Sequence, residues 1–321
     1  MGYLFLLLTN LCGITKVVCM KKCGRLFPGE DNSIRINSVR ALICACVSVI
    51  IFLFAGAKAS WINSYIWVIS GISNAGLLFF WLLCSERASL IYVETFGLFG
   101  SVVIPLFLAP VLYEGESVNV FQWIGIACLL LAVVALSVKP ANKAKNADLA
   151  AEGEQAATKE TPEKRFKSDL TTVICLIFLI LSNAGVQVTQ KSFVKKIGGD
   201  YLPFFNLMTF CTVLLCFAAA SLIRGVIKRR SGKEATNPES LGKKGLLLVF
   251  LAAVAIYAFQ YFGSLASGKM DSAVYYPLVS GISIILTVLG DVVIFRQKLN
   301  KNMIIAFVLV LFTIVLTNIK I

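Results

Sequence analysis

No histidine occurs in these 321 residues, which removes the commonest general base and the commonest transition-metal ligand. Charge is scarce too: 15% of residues are Asp, Glu, Lys or Arg, against about 25% in a typical soluble domain. The 17 acidic residues form no catalytic-type cluster, so no enzyme activity is expected. No Walker A motif is present, so ATP drive within this chain is not expected. CxxC spacing is missing as well. Nine of the ten cysteines (Cys12, Cys19, Cys44, Cys46, Cys84, Cys128, Cys175, Cys211 and Cys216) fall inside apolar stretches. A thiol there behaves as a small hydrophobe, and no disulfide framework, metal or cofactor is expected.

What the chain has in abundance is apolar sequence, 58% of it. Ten stretches stand out, at Tyr3–Met20, Val39–Ala57, Ser64–Cys84, Leu90–Leu112, Val120–Val138, Leu170–Gln190, Pro203–Ile223, Gly245–Ser267, Ala273–Phe295 and Met303–Ile319. Each is about 17 to 23 residues, the length a helix needs to cross ~30 Å of hydrocarbon. Unbroken runs of this kind exclude a β-barrel, whose strands alternate over about ten residues. The expected fold is an all-α polytopic membrane protein with ten transmembrane helices in two sets of five. Because five is odd, a duplicated five-helix unit would place its copies upside down relative to each other, as secondary transporters do. The expected organisation is a first repeat over 1–138, a flexible charged linker over 139–169 and a second repeat over 170–321. The linker, PANKAKNADLAAEGEQAATKETPEKRFKSD, is polar and lacks an apolar period. The first stretch reads as a retained helix, since Lys21, Lys22 and Arg25 follow it rather than precede it.

The formal charge of +13 would suggest a nucleic-acid partner in a soluble chain. Here the basic residues sit in connectors, so no nucleic acid is expected. Connectors after odd-numbered spans hold 23 of the 30 Lys and Arg, counting Arg40 at the edge of span two with the first connector. Even-numbered connectors and the C-terminal tail hold six. Positive-inside bias then puts the odd connectors in the cytoplasm and both termini outside. The expected location is the plasma (bacterial cell) membrane.

The two halves echo each other. Leu8-Thr9-Asn10 matches Leu181-Ser182-Asn183, and at the same offset Lys22 meets Lys195. At a slightly larger offset Ser89 and Tyr92 meet Ser272 and Tyr275. After span four the chain reads Glu116-Ser-Val-Asn-Val-Phe-Gln122-Trp-Ile-Gly125. This resembles the E-x5-Q-x2-G signature of the drug/metabolite transporter superfamily, in its ten-helix EamA-type branch. RQKLNKNMIIAF is a weaker second copy, with Gln297 at the Glu position and Ala306 at the Gly position. Lys16 falls where the family often carries a lysine. The resemblance covers the chain outside the linker. It implies alternating access around a cavity formed by helices one, three, four, six, eight and nine, with five and ten peripheral. It also implies cytoplasmic termini, opposite to the charge count.

Polar groups inside the spans are the candidate site. Lys16, Glu94 and Asp291 are the ionisable ones, and their insertion cost of at least ~2.5–3.5 kcal/mol favours a cavity or a partner over lipid. Snorkelling at the span ends is the plain alternative. Tyr276, Ser280, Ser283, Thr287 and Asp291 share one helical face. Tyr257, Gln260, Tyr261 and Ser264 repeat the theme in span eight, Asn183 and Gln187 in span six, Asn74 in span three and Asn10 in span one. The alternative for each is interhelical glue. These groups suit a hydroxyl- or amino-bearing solute, and no cluster of buried Lys or Arg suits a phosphorylated one. The expected function is secondary active export of small metabolites or drug-like solutes. A passive channel or facilitator is the first alternative, and a membrane enzyme or receptor the weaker one. Expected partners are the solute, the bilayer and protons exchanged through Glu94 or Asp291, with the chain acting as monomer or homodimer.

Overall fold

Hydropathy and hydrogen-bond economy dictate helices, because a backbone in hydrocarbon must satisfy its own polar groups. The computed structural model describes residues 1–27, 30–87, 90–137, 170–230, 242–293 and 301–319. About 90% of them are helical, and no strand occurs among them. The helices are α1 (Gly2–Leu26), α2 (Glu30–Phe54), α3 (Ser64–Arg87), α4 (Leu90–Leu112), α5 (Val120–Ser137), α6 (Leu170–Lys196), α7 (Leu202–Arg230), α8 (Gly242–Lys269), α9 (Ser272–Val293) and α10 (Lys301–Thr317). A single 3-10 turn, Gly199–Tyr201, leads into α7. Stretches in α1, α2, α3, α6, α7 and α8 are long and apolar enough to cross a membrane, and shorter apolar runs lie in α4, α5, α9 and α10. The chain is an all-α membrane protein.

Helix boundaries extend past the apolar stretches. α1 continues through Lys21 and Lys22, α2 begins at Glu30, and α6 runs on to Lys196. Arg40, counted above with the first connector, is instead a buried residue of α2 whose Nη1 meets Met20 Sδ at 3.1 Å.

The principal packing runs between the halves. α1 packs on α8 as α3 packs on α6, α2 on α8 as α3 on α7, and α1 on α9 as α4 on α6. α2–α7, α4–α9 and α5–α10 close the pattern. Exchanging α1–α5 for α6–α10 therefore leaves these contacts unchanged. Two glycines permit the closest approaches. A Cβ on Gly100 would collide with the Ile180 carbonyl of α6, and one on Gly71 would lie 2.9 Å from the Thr209 carbonyl of α7. The largest core joins Leu6 of α1, Val102 and Leu106 of α4, Ile126 and Leu129 of α5, Tyr276 and Leu278 of α9, and Val310 of α10.

Three ends meet at one face. Tyr3 Oη donates to Asn318 Oδ1 at 3.0 Å, and Asn119 Nδ2 to the Ile319 carbonyl at 3.0 Å. The α4–α5 connector thus lies beside both chain ends, on what is called here the termini face; the opposite ends of α5 and α6, at Ser137 and Leu170, mark the other end of the bundle, called the linker face.

Candidate functional site

The E-x5-Q-x2-G residues have three separate jobs. Gln122 forms a reciprocal cap with Asn119: its amide donates to Asn119 Oδ1 at 2.8 Å, and its Oε1 accepts from the Asn119 amide at 2.9 Å. Gly125 lets α10 come close, and its carbonyl accepts from Thr313 Oγ1 at 2.9 Å. Glu116 reaches out of its own half altogether.

Glu116 meets Lys191 and Lys195 at the end of α6. Its Oε1 lies 2.8 Å from Lys191 Nζ and 3.2 Å from Lys195 Nζ. Its Oε2 accepts from Lys191 Nζ at 3.1 Å and from the Ser272 amide at 3.0 Å. That amide is among the first of α9, where a helix leaves its N–H groups without intrahelical acceptors. Lys191 is fully buried and completes its donor set with Ser272 Oγ at 2.6 Å and the Met270 carbonyl at 3.1 Å. The rings of Tyr113 and Tyr276 lie 5.1 and 5.9 Å from its Nζ. Tyr113 Oη is 3.0 Å from Ser192 Oγ and donates to the Val188 carbonyl at 3.2 Å. Burial alone would raise the Glu116 carboxyl. The Lys191 ammonium and the Ser272 donors outweigh it and hold the group below the ordinary carboxylate range. Burial pushes the Tyr113 phenol up to about 12, although its bond with Ser192 pulls the other way.

Beneath this cluster lies a polar seam between α3 and α8. Gln260 Nε2 donates to Asn74 Oδ1, joining the halves. Asn74 Nδ2 donates back to the Ser70 carbonyl at 2.9 Å. Many helical hydroxyls here satisfy themselves on the carbonyl one turn back, as Thr9, Ser48 and Thr212 do. Ser70, Thr209 and Ser264 do not: their buried hydroxyls make no hydrogen bond among the described residues. Gln260 Oε1, the Tyr257 hydroxyl and both amide atoms of Asn206 are in the same condition. Asn206 and the Tyr257 hydroxyl face each other as a hydrogen-bonding pair held short of good geometry. The Tyr257 ring stacks on Tyr261 at 6.1 Å and lies 6.0 Å from Phe210. Buried polar atoms are rarely left unsatisfied. Such a concentration across α3, α7 and α8 is a set of donors and acceptors with capacity to spare.

The candidate residues therefore divide. Asn74, Tyr257, Gln260, Tyr261 and Ser264 gather in the α3–α7–α8 seam. Asn183 instead donates to the Gly97 carbonyl of α4 at 2.6 Å, and Tyr276 donates to the Gln187 carbonyl at 3.4 Å. Ser280 is buried and Ser283 half-buried on α9. Asn10 is buried on α1, donates to the Leu6 carbonyl at 2.9 Å, and leaves its Oδ1 without a partner among the described residues. Lys16 sits over the Phe259 ring of α8 at 4.4 Å. The side chains of Glu94, Thr287 and Asp291, like Gln297, lie outside the described residues.

Three functional groups escaped the sequence. Lys191 was assigned to a connector because it follows Gln190, the last residue of span six, yet it is helical and buried. A lysine at a span end is unremarkable by pattern, which hid it. The expectation of no buried cationic cluster is revised accordingly, although Glu116 neutralises this one. Asn206 and Thr209 lie in the first turns of α7; their spacing of three was the available signal.

No family model matches the chain, and no curated protein matches it either. Among 28 matching solved chains is one crystal structure that superposes with a TM-score of 0.66 at 15% identity, covering 99% of this chain and 96% of that one. At that identity the likeness concerns the fold alone.

Proposed function

We propose that the chain is a secondary active transporter of the drug/metabolite transporter superfamily, EamA-type, built as two inverted five-helix repeats. It exports small polar metabolites or drug-like solutes across the plasma membrane by alternating access. The observation that carries this reading is the polar seam shared by the halves: Asn74 of one bonded to Gln260 of the other, amid buried hydroxyls and amides with unspent hydrogen-bonding capacity. Interhelical glue uses up its donors and acceptors, whereas a binding surface keeps some in reserve. The exchange symmetry of the helix contacts supports the repeat, and the offsets relating Asn10 to Asn183 and Lys22 to Lys195 support it in sequence. Contacts among α1, α3, α4, α6, α8 and α9 fit the helices that the resemblance places around the cavity.

The seam carries no charge of its own, so a solute rich in hydroxyl or amide groups suits it better than a phosphate ester. The test is flux from proteoliposomes loaded with a metabolite mixture and followed by mass spectrometry. The expected result is selective loss of one or a few neutral polar solutes, abolished in the double variant N74A/Q260A. Loss no faster than from protein-free vesicles, across the mixture, would overturn the reading.

A further inference from the structure

We infer that Glu116, Lys191 and Lys195 form a charge-locked gate that holds the two halves shut at the termini face, a lock whose residues are not repeated at the matching positions of the other half. The inference rests on the transporter reading and assigns that machinery one of its moving contacts. Every polar bond of the Glu116 carboxylate crosses from the first half to the second: to Lys191, to Lys195 and to the Ser272 amide. Tyr113 repeats the crossing to Ser192 and Val188. These bonds reach two helices of the second half, α6 and α9. A separation of the halves at this end must break all of them together, which makes closure cooperative.

The same offsets that relate the halves in sequence show that the members of this lock are not repeated. The position matching Lys191 is Val18, the one matching Ser192 is Cys19, and the one matching Tyr276 is Val93. Glu116 is matched by Gln297, and of the cations only Lys195 keeps a partner, Lys22. The residues of the ion-paired closure are thus particular to the termini face, and the matching positions hold Val18, Cys19 and Gln297 in their place. A buried ion pair loses little when both members leave for water together, but a lone member left inside is strongly disfavoured. Glu116 and Lys191 are therefore suited to open as a unit, each exposed to solvent in the open state.

The test is hydrogen–deuterium exchange on the full chain in lipid nanodiscs, with no solute needed. The reporter is the peptide containing Ser272, whose amide bonds directly to Glu116. E116Q strands the Lys191 ammonium, so exchange at that peptide should quicken at least about tenfold while peptides of α5 and α10 keep their rates. Adding K191M removes the stranded charge, so the double variant E116Q/K191M should return to within about threefold of wild type. The gate is overturned by an unchanged rate in E116Q, by quickening that spreads equally into α5 and α10, or by a double variant as fast as the single. Because exchange reports closure itself, a positive result without flux in any proteoliposome would reject transport while leaving the gate standing.

Discussion

Among the described residues, the two ends of this bundle are held together by different chemistry. At the termini face, a carboxylate, two ammoniums, a helix N-terminal amide and two tyrosines bridge the halves. At the linker face, α1, α2 and α8 meet through Cys23, Ile36 and Val249, with Arg40 against Met20 sulfur. On the proposed duplication, copying a fold copies its packing geometry, since helix contacts depend on size and shape. It does not preserve closure chemistry, which a few substitutions can rewrite. Val18 against Lys191 is the clearest case.

The comparison breaks most sharply at Lys191. K191E would set two carboxylates against each other in a buried site, and unfolding in mixed micelles should lose about 3–5 kcal/mol. Lysine substituted for Val18, its counterpart, should behave differently, because no carboxylate matches it there; its cost should follow from burial alone and be unaffected by E116Q. Equal coupling of both positions to Glu116 would remove the asymmetry.

The interior seam sets the next scale. N74A leaves Gln260 with an unpaired amide, and Q260A does the same to Asn74, at about 1–3 kcal/mol each. The double variant should cost less than the two together, by thermal melting, because both partners then vanish. Strict additivity would mean that the Asn74–Gln260 bond does not couple the halves.

A pH titration sharpens the lock. Glu116 is held below its ordinary range, so its contribution is fully present above the unpaired carboxyl value near 4.3 and is lost only as pH falls through its lower, paired value. Infrared spectra comparing wild type with E116Q should show this carboxyl ionised at pH 5. A protonated band there, missing in E116Q, would contradict the ion pair. A carboxylate so strongly held is a poor proton carrier near neutrality, which leaves Glu94 and Asp291 as the proposed coupling groups.

The smallest effect concerns the α5 cap. N119A should cost about 1 kcal/mol in thermal stability, felt in α5 and α10 and not at the Ser272 peptide.

Much of the fold was legible because ten apolar stretches are hard to mistake, and each coincides over most of its length with a helix, although α2 stops at Phe54 and α10 at Thr317, short of the stretches' ends. The ends were not, since hydropathy marks the hydrocarbon layer while hydrogen-bond ladders continue past it. α6 shows the consequence, with Lys191 hidden just beyond the end of span six. Asn74 and Gln260 were legible as polar intruders, yet their partnership spans 186 residues and leaves no local mark. Asn183 shows the opposite outcome, a polar position spent on the Gly97 carbonyl. Glu116 stood out only through a motif whose three members do three unrelated things.

The most direct test of the central claim is a distance distribution across the termini face. Spin labels on genetically encoded keto side chains at Glu114 and Asp200, both exposed and on opposite halves, would be measured by pulsed electron resonance in nanodiscs. The account predicts one short population in wild type, joined in E116Q by a longer one that the added K191M change suppresses. A single distance, identical in all three proteins, would contradict it.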